Sequence, residues 1–307
     1  MEAVHRLPVS RAVPPGGPAD DPTYARLRFP LNPRELTARV HDALAEDHAF
    51  DDITTIATVQ SDRRARARLV ARQSGMLSGV PFAIAAFRII DEKSAIRVEA
   101  EDGTPVRKGD PVLLISGHAR GILSAERVAL NFLQKLSGIA TLTRRYCDAV
   151  RGTNARILDT RKTTPGWRSL EKYAVRCGGG TNHRMDLAAS VLVKDNHLVA
   201  VEGDVARAVK RARELAGPGS TVEVECDRLE QVRTAVEAGA DIILLDNMAA
   251  DRMVECVQLV NGRARLEASG GVTLDTVRAI AASGVDFVSV GALTHSAPAM
   301  NLALDFE

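Results

Sequence analysis

The chain has 307 residues, of which 26% are charged, 45% hydrophobic and 4% aromatic, with a formal net charge of +1. That length admits two domains or a barrel with an added module, while the balanced charge and scarce aromatics give no footing for nucleic acid. Apolar runs are too short to cross a bilayer, and Cys147, Cys177, Cys226 and Cys256 stand far apart with no CxxC pair, which argues against a disulfide framework or zinc site and for a reduced, cytoplasmic setting.

The first residues hold Pro14-Pro15-Gly16-Gly17-Pro18 without an apolar run, the composition of a disordered or extended tail and not of a secretory signal. Ordered structure is expected near Asn32-Pro33, a cap followed by proline at the first helical position, with Leu36, Val40 and Leu44 on one face. Asp51-Asp52-Ile53-Thr54 reads as the polar turn that ends this helix. Ala65 to Arg72 alternates arginine with small apolar residues as a half-exposed strand does, Pro81 to Ile90 suits a buried helix, and Ala95 to Ala100 alternates again. From Gly103 to Gly117 the pattern predicts short strands joined by glycine turns. These hairpins are similar to those of biotinyl and lipoyl carrier domains, but Lys108 lacks the flanking motif of a carrier lysine, and a structural α+β module is the better reading.

Ser124 is placed to cap a helix with Val128, Phe132 and Leu136 on one side, Gly138 to interrupt it, and a second amphipathic stretch to continue to Val150. Arg127, beside Glu126, serves equally well as a surface charge or as a site residue.

Between Leu158 and His197 the chain packs seven lysines and arginines against four acids, broken by Gly178-Gly179-Gly180. Arg156-Ile157-Leu158 runs as a strand into Asp159-Thr160-Arg161-Lys162, and Val191-Leu192-Val193 into Lys194. Polar residues that abruptly end an apolar strand point into the mouth of a βα barrel, so the cations gathered here suit an anion site. Asn182-His183-Arg184 adds hydrogen-bond donors, and the glycines are expected to let backbone approach a ligand.

Further on the chain is regular: strands end at Glu225, Asp246, Ser269-Gly270-Gly271 and Gly291, at intervals of 21, 23 and 22 residues, each interval holding one helical pattern. Strand, helix and stop repeated in this way imply parallel strands with right-handed crossovers, six in all with those at Leu158 and Val193. An incomplete barrel and an open doubly wound sheet both satisfy that pattern. Glycine-rich turns after late barrel strands suit a phosphate. Glu225 and Asp246 can bind ribose hydroxyls, hold a divalent cation with a diphosphate, or stabilise an oxocarbenium-like carbon. Glu223 points the same way but deeper, so Glu225, nearer the strand end, is preferred.

Taken jointly, Ala125-Glu126-Arg127, Leu136-Ser137-Gly138-Ile139-Ala140-Thr141, Asp159-Thr160-Arg161-Lys162-Thr163-Thr164-Pro165-Gly166, Lys172-Tyr173-Ala174-Val175, Asn182-His183-Arg184, Lys194-Asp195-Asn196-His197, Leu245-Asp246-Asn247 and Glu267-Ala268-Ser269-Gly270-Gly271 closely resemble the quinolinate phosphoribosyltransferases, the carboxylating nicotinate-nucleotide pyrophosphorylases. The resemblance runs from about residue 32 to the end. It implies an α/β fold in which an N-terminal α/β sandwich module (32–137) precedes an incomplete, six- to seven-stranded α/β barrel (138–295), with residues 1–31 as a tail and 296–307 packing back on the first module.

The implied reaction joins phosphoribosyl diphosphate and quinolinate to give nicotinate mononucleotide, CO2 and diphosphate. By the same resemblance, Thr160, Arg161, His183, Arg184 and Lys194 bind quinolinate, with Arg127 arriving from the neighbouring subunit of a homodimer. Lys162, Glu225 and Asp246 are the implied catalytic groups facing phosphoribosyl diphosphate, Glu225 and Asp246 hold Mg²⁺, and Ser269, Gly270, Gly271, Gly291 and Ala292 take the terminal phosphate. Asp186, Ala189 and Trp167 depart from the family pattern. A paralogue with another acceptor, a barrel aldolase using Lys162 or Lys194 as a Schiff base, and a silent metabolite-binding protein are the rival readings.

Overall fold

Two sheets of different construction organise the computed structural model, which describes residues 27–217 and 220–307. The part of the expected tail before Leu27 lies outside the described residues. Phe29, assigned to that disordered or extended tail, is packed edge-on between Phe82 and Tyr173, with ring centroids 5.6 and 5.4 Å away.

Helix α1 (Pro33–Glu46) opens with a capping box in which Asn32 and Glu35 each satisfy the other's backbone N–H. The polar run at 51–54 begins a second helix and does not merely end the first: the Asp52 carboxylate accepts the Thr55 N–H at 3.0 Å and caps α2 (Ile53–Thr58). Next come β1 (Arg64–Ala71), β2 (Gly75–Met76), α3 (Val80–Ile90), β3 (Ala95–Val98), β4 (Pro105–Val106) and β5 (Pro111–His118). Along β1 the arginines 64, 66 and 68 face outward while Ala67 and Leu69 are buried, the period-2 pattern of a sheet with one covered face. The last strand of the chain, Leu302–Phe306, pairs antiparallel with β1, so the C-terminus closes the edge of this first four-stranded sheet.

Helix α4 (Ala119–Ala149) corrects two expectations. It begins at His118, so Ser124 lies inside it and its hydroxyl donates to Asp52 Oδ2 at 3.0 Å. Nor does Gly138 interrupt it. A Cβ there would lie 2.1 Å from the Pro298 carbonyl oxygen, so the glycine permits the C-terminal segment to cross the helix. Val128, Leu133, Leu136 and Ile139 are buried on one stripe, each contributing roughly 1.5–3 kcal/mol of burial free energy.

The second sheet is built from β6 (Arg156–Leu158), β7 (Val191–Val193), β8 (Val222–Cys226), β9 (Ile242–Asp246), β10 (Arg265–Ser269) and β11 (Phe287–Ser289), all parallel, in the order β6-β11-β10-β9-β8-β7. Parallel neighbours require crossovers. These are supplied by α5 (Arg168–Cys177), α6 (Asp195–Ala200), α7 (Val205–Ala216), α8 (Leu229–Glu237), α9 (Ala250–Val260) and α10 (Val277–Ala282), followed by α11 (Ala292–His295) and β12, the strand at 302–306. Strands β6 and β7 are the two ends of the order, and beside β6 Leu158 is bridged to Thr181 of the connecting segment. The first strand, β6, is paired with the last, β11, and the order then descends to β7; that cyclic order is a barrel left open between β6 and β7, whereas a doubly wound sheet reverses its order at an internal strand.

Stacked rings join the two parts. Phe82 and Phe132 lie 4.4 Å apart at 8°, and Phe132 and Trp167 lie 5.2 Å apart at 12°. No helix among the described residues is long and apolar enough to cross a membrane.

Candidate active site

The carboxyl ends of the parallel strands open into a cavity of about 650 Å³ lined by Thr160, Arg161, Lys162, His183, Arg184, Lys194, Glu225, Asp246, Ser269, Gly270 and Gly271. Residues far apart in sequence meet here because parallel strands present all their carboxyl ends at one face.

Four cations, Arg161, Lys162, Arg184 and Lys194, line this cavity. Arg161 and Lys162 follow β6, where the Thr160 hydroxyl accepts the Lys162 N–H at 3.1 Å and tightens the turn. Arg184 donates through Nη1 to the Ser190 carbonyl at 2.9 Å, and Lys194 precedes α6. The Nε atoms of Arg161 and Arg184 are buried yet have no hydrogen-bond partner. A buried donor left unpaired costs about 1–3 kcal/mol, more when charged, so these two await an acceptor. Burial and the neighbouring Arg161 charge lower the Arg184 pKa against the opposing pull of Glu223 and Asp186.

His183 and Asn182 do not join them as ligand donors. The Asn182 amide donates to Asp159 Oδ2 at 2.5 Å and to the Lys172 carbonyl at 2.8 Å. In His183, Nδ1 accepts the Arg184 backbone N–H at 2.8 Å, while Nε2 lies 3.3 Å from Glu223 and 3.5 Å from Glu267. Both ring nitrogens are therefore engaged within the protein, and no N–H is left for the cavity. Burial lowers the His183 pKa, but the two glutamates outweigh it and the net shift is upward. That shift favours an imidazolium, whereas the Arg184 N–H requires a lone pair on Nδ1. The direct contact decides, and the ring is the Nε2–H tautomer.

Beneath this layer a buried frame holds the segment in place. The Lys172 ammonium meets the Asp159 carboxylate in an ion pair that is almost wholly buried. It also donates to the His183 carbonyl at 2.9 Å, and Asp159 accepts the His183 N–H at 2.8 Å. Sequence reasoning quoted both residues without giving either a role. The three consecutive glycines were expected to let backbone approach a ligand; Gly178 and Gly180 instead permit close packing, since a Cβ on them would lie 2.3 Å from the Ala140 carbonyl oxygen of α4 and 2.7 Å from Val175 Cγ1, and Gly179 turns the chain at φ +91°.

The acids line the same cavity. Burial and the Asp246 charge raise the Glu225 pKa. Asp246 accepts from Asn247 Nδ2 at 2.8 Å, and its strand pairs it with Ser269. Two carboxylates facing one space suit a divalent cation. Glu223, two residues deeper, is buried with His183 and not at the mouth. The turn beyond Ser269 needs glycine, because Gly270 has φ +92° and a Cβ on it would lie 2.2 Å from Asn247 Oδ1.

Gly291 and Ala292 do not line this cavity but stand next to it: a Cβ on Gly291 would touch Lys162 Cδ at 3.1 Å, and the Thr294 hydroxyl one turn later donates to the Lys162 carbonyl at 2.7 Å. Arg127 is exposed on α4 and lies outside the cavity of its own chain. Of the departures, Trp167 stacks on Phe132, and Asp186 accepts the N–H groups of Ala188 and Ala189 at 2.9 and 3.0 Å, shaping the exposed loop beside Arg184.

Comparison with known proteins agrees with this geometry. Residues 52–137 match the model of the quinolinate phosphoribosyl transferase N-terminal domain, and residues 139–305 match that of its C-terminal domain. The chain is 43% identical over 272 residues to the carboxylating nicotinate-nucleotide pyrophosphorylase of Mycobacterium leprae, covering 87% of this chain and 95% of the relative. A probable carboxylating nicotinate-nucleotide pyrophosphorylase of Bacillus subtilis is 38% identical over 275 residues, covering 90% and 94%. The solved nicotinate-nucleotide pyrophosphorylase of Francisella tularensis superposes with a TM-score of 0.84 at 37% identity, covering 91% of this chain and 99% of that one.

Proposed function

The chain belongs to the quinolinate phosphoribosyl transferase family, and from that premise we propose that it transfers phosphoribose from phosphoribosyl diphosphate to the ring nitrogen of quinolinate, with loss of CO2 and diphosphate, to make nicotinate mononucleotide for de novo NAD synthesis. The observation that carries this reading is the pair of buried, unpartnered Nε donors on Arg161 and Arg184 in one cavity. A small dicarboxylate supplies the acceptors they lack, and guanidinium forks match carboxylates in geometry as well as charge. The Schiff-base aldolase reading has no comparable support.

Lys194 and Thr160 complete the dicarboxylate side, while His183 acts on it through the backbone and the ring contacts that fix Arg184. On the other side Lys162 faces the diphosphate, and Ser269, Gly270 and Gly271, with Gly291 and Ala292 beside Lys162, receive the terminal phosphate. Glu225 and Asp246 fit Mg²⁺ because they line one cavity, where burial and the Asp246 charge raise the Glu225 pKa against the opposing pull of Lys194. Bound there, Mg²⁺ would neutralise charge on the departing diphosphate.

As the ring nitrogen attacks and the ribose–diphosphate bond breaks, the two carboxylates also face the positive charge developing on the sugar. The pyridinium formed then draws the electron pair of the ring–carboxylate bond, and CO2 departs. Positioning and charge carry both steps without a covalent enzyme intermediate.

The working unit is proposed to be a homodimer in which Arg127 enters the neighbouring site. Two exposed apolar groups favour this arrangement: Phe50, Ile53 and Ile56 around α2, and Met185, Leu187 and Val199 on the segments flanking Arg184 and Lys194. Its four free cysteines fit a reducing cytoplasm. Mixing the purified protein with quinolinate, phosphoribosyl diphosphate and Mg²⁺ tests the reading; nicotinate mononucleotide should form, and its absence, or equal turnover with nicotinate, overturns it.

A further inference from the structure

The mechanism above leaves one chemical requirement unassigned. When CO2 departs, the electron pair of the broken bond stays on the ring carbon next to the nitrogen, and that carbon must gain a proton before nicotinate mononucleotide exists. The guanidinium groups of Arg161 and Arg184, which are read as holding the dicarboxylate, have no readily lost proton to give. Within the barrel, however, one layer below the strand ends, lies a group of side chains that the phosphoribosyl transfer does not use.

Glu267 on β10 lines the floor of the cavity and is buried, as is Glu223 on β8. His183 Nε2 stands 3.5 Å from the first and 3.3 Å from the second. Two ionised carboxylates around one neutral ring would leave uncompensated negative charge in a buried place, which is strongly disfavoured; the stable arrangement keeps a proton on one of them. Because Nδ1 of His183 is taken by the Arg184 N–H, that proton cannot reside on the ring without breaking a hydrogen bond. A metal ion is a poor substitute, because a ring bound through Nε2 would carry its proton on Nδ1, facing that same N–H.

We propose that Glu267 is a catalytic acid: its carboxyl proton passes to the ring carbon from which CO2 has left, converting the carbanion to the C–H of nicotinate mononucleotide and leaving Glu267 as a carboxylate to be reprotonated from solvent. The balance is closed, since the carbon–carboxylate bond breaks with its electron pair left on the ring, and that pair takes up the glutamic acid proton. The proposal rests on the quinolinate reading given above. The surroundings of Glu267 agree with it. Burial and the Glu223 charge push its pKa up to about 7, with Asp159 adding to the rise and the hydroxyl of Ser289 on β11 opposing it, and a neutral His183 ring lends it no opposing charge. Lys172 of α5 and Arg184 also face this group, through His183 and Glu223 respectively. An acid of that strength is protonated in good part at neutral pH and is readily restored after each turnover. Glu223 and His183 are positioning residues here, Glu223 by keeping the proton on its neighbour and His183 by orienting both carboxyls.

A single-turnover experiment with phosphoribosyl diphosphate, carboxyl-labelled quinolinate and Mg²⁺ separates the steps by following diphosphate release and CO2 release independently. Glu267→Gln keeps shape and hydrogen bonding but has no acidic proton, so the carbanion left by C–C cleavage returns to the CO2 still held in the site, and net CO2 release should slow relative to diphosphate release by about 10²-fold or more. In the unaltered protein CO2 release should fall as pH rises above about 7, and that limb should be missing in the variant. Equal slowing of both releases would make Glu267 a binding or structural group and overturn the proposal, as would a flat pH profile in the unaltered protein, which is informative even if the variant does not fold. Failure of the unaltered protein to release diphosphate with quinolinate would instead remove the quinolinate reading itself.

Discussion

The Lys172 ammonium, on α5, is buried against the Asp159 carboxylate that follows β6, and the two together fix the backbone of His183 by accepting its N–H and donating to its carbonyl. One ion pair therefore connects the strand that delivers Arg161 with the segment that delivers Arg184. Burial opposes charge on both partners, raising the Asp159 pKa and lowering that of Lys172, while each supports the charge of the other.

Removing one partner of such a pair leaves the other charge buried and unpaired. Lys172→Met should destabilise the fold by about 3–5 kcal/mol, read as a lower urea midpoint. A second substitution, Asp159→Leu, should not restore stability, because the His183 N–H and the Asn182 amide would lose their acceptor. Full recovery in the double variant would show that the pair acts alone and not as part of a network.

Gly138 supplies a test in which two principles point in opposite directions. Alanine in place of glycine inside a helix ordinarily gains about 1 kcal/mol. Here the added Cβ would lie 2.1 Å from the Pro298 carbonyl oxygen, so either α4 or the returning C-terminal segment must shift. Overpacking of this kind typically costs about 1–3 kcal/mol. Gly138→Ala should lower the thermal midpoint, and a raised midpoint would mean that the C-terminal crossing yields easily.

These two positions show where sequence was legible and where it was not. Strand ends were readable because a short apolar run stopped by Arg161, Lys194, Glu225 or Asp246 carries its own period and its own end. The regular spacing of the later strands likewise revealed the parallel sheet. Gly138 and Gly178 were misread because a glycine chosen for a close approach looks, in one dimension, like a glycine chosen to stop a helix or admit a ligand; the Pro298 and Ala140 carbonyls that explain them are distant in sequence or hidden in the packing. His183 was misread for a related reason. Its residue type announces hydrogen bonding, but only three dimensions show that Glu223, Glu267 and Arg184 already use both nitrogens. Glu223 was legible as a deeper acid on the Glu225 strand and was set aside for lying away from the strand end, while Glu267, inside an apolar strand, was quoted in a motif without a role; the pairing of both with His183 appears only in three dimensions.

Subunit mixing tests the shared site. Arg127 is exposed on its own chain, whereas Arg161 lines the cavity. Arg127→Ala and Arg161→Ala should each weaken quinolinate binding strongly with the fold intact. In a hybrid dimer one site would receive both defects and the other neither, so equimolar mixing with free subunit exchange should restore about a quarter of the sites. No recovery after exchange has been verified by native mass spectrometry would place Arg127 in its own subunit's chemistry.

The two acids give the last test, through pH. Burial and the Asp246 charge hold the Glu225 pKa above the usual carboxylate range, so Glu225 takes up a proton as pH falls before an ordinary glutamate does. Mg²⁺ requires the ionised form. The concentration of Mg²⁺ needed for half-maximal activity should therefore rise on the acid side, with the rise beginning at the displaced Glu225 pKa and absent at higher pH, where the group is already ionised. Asp246→Asn removes the charge that raises Glu225, so the rise should begin at lower pH; it also removes a candidate ligand, so more Mg²⁺ should be needed at every pH. The two effects move different features of one titration, its position along the pH axis and its plateau. A plateau that increases without displacement would show that Asp246 meets the metal while burial alone sets Glu225, and displacement without a higher plateau would take Asp246 out of the metal site.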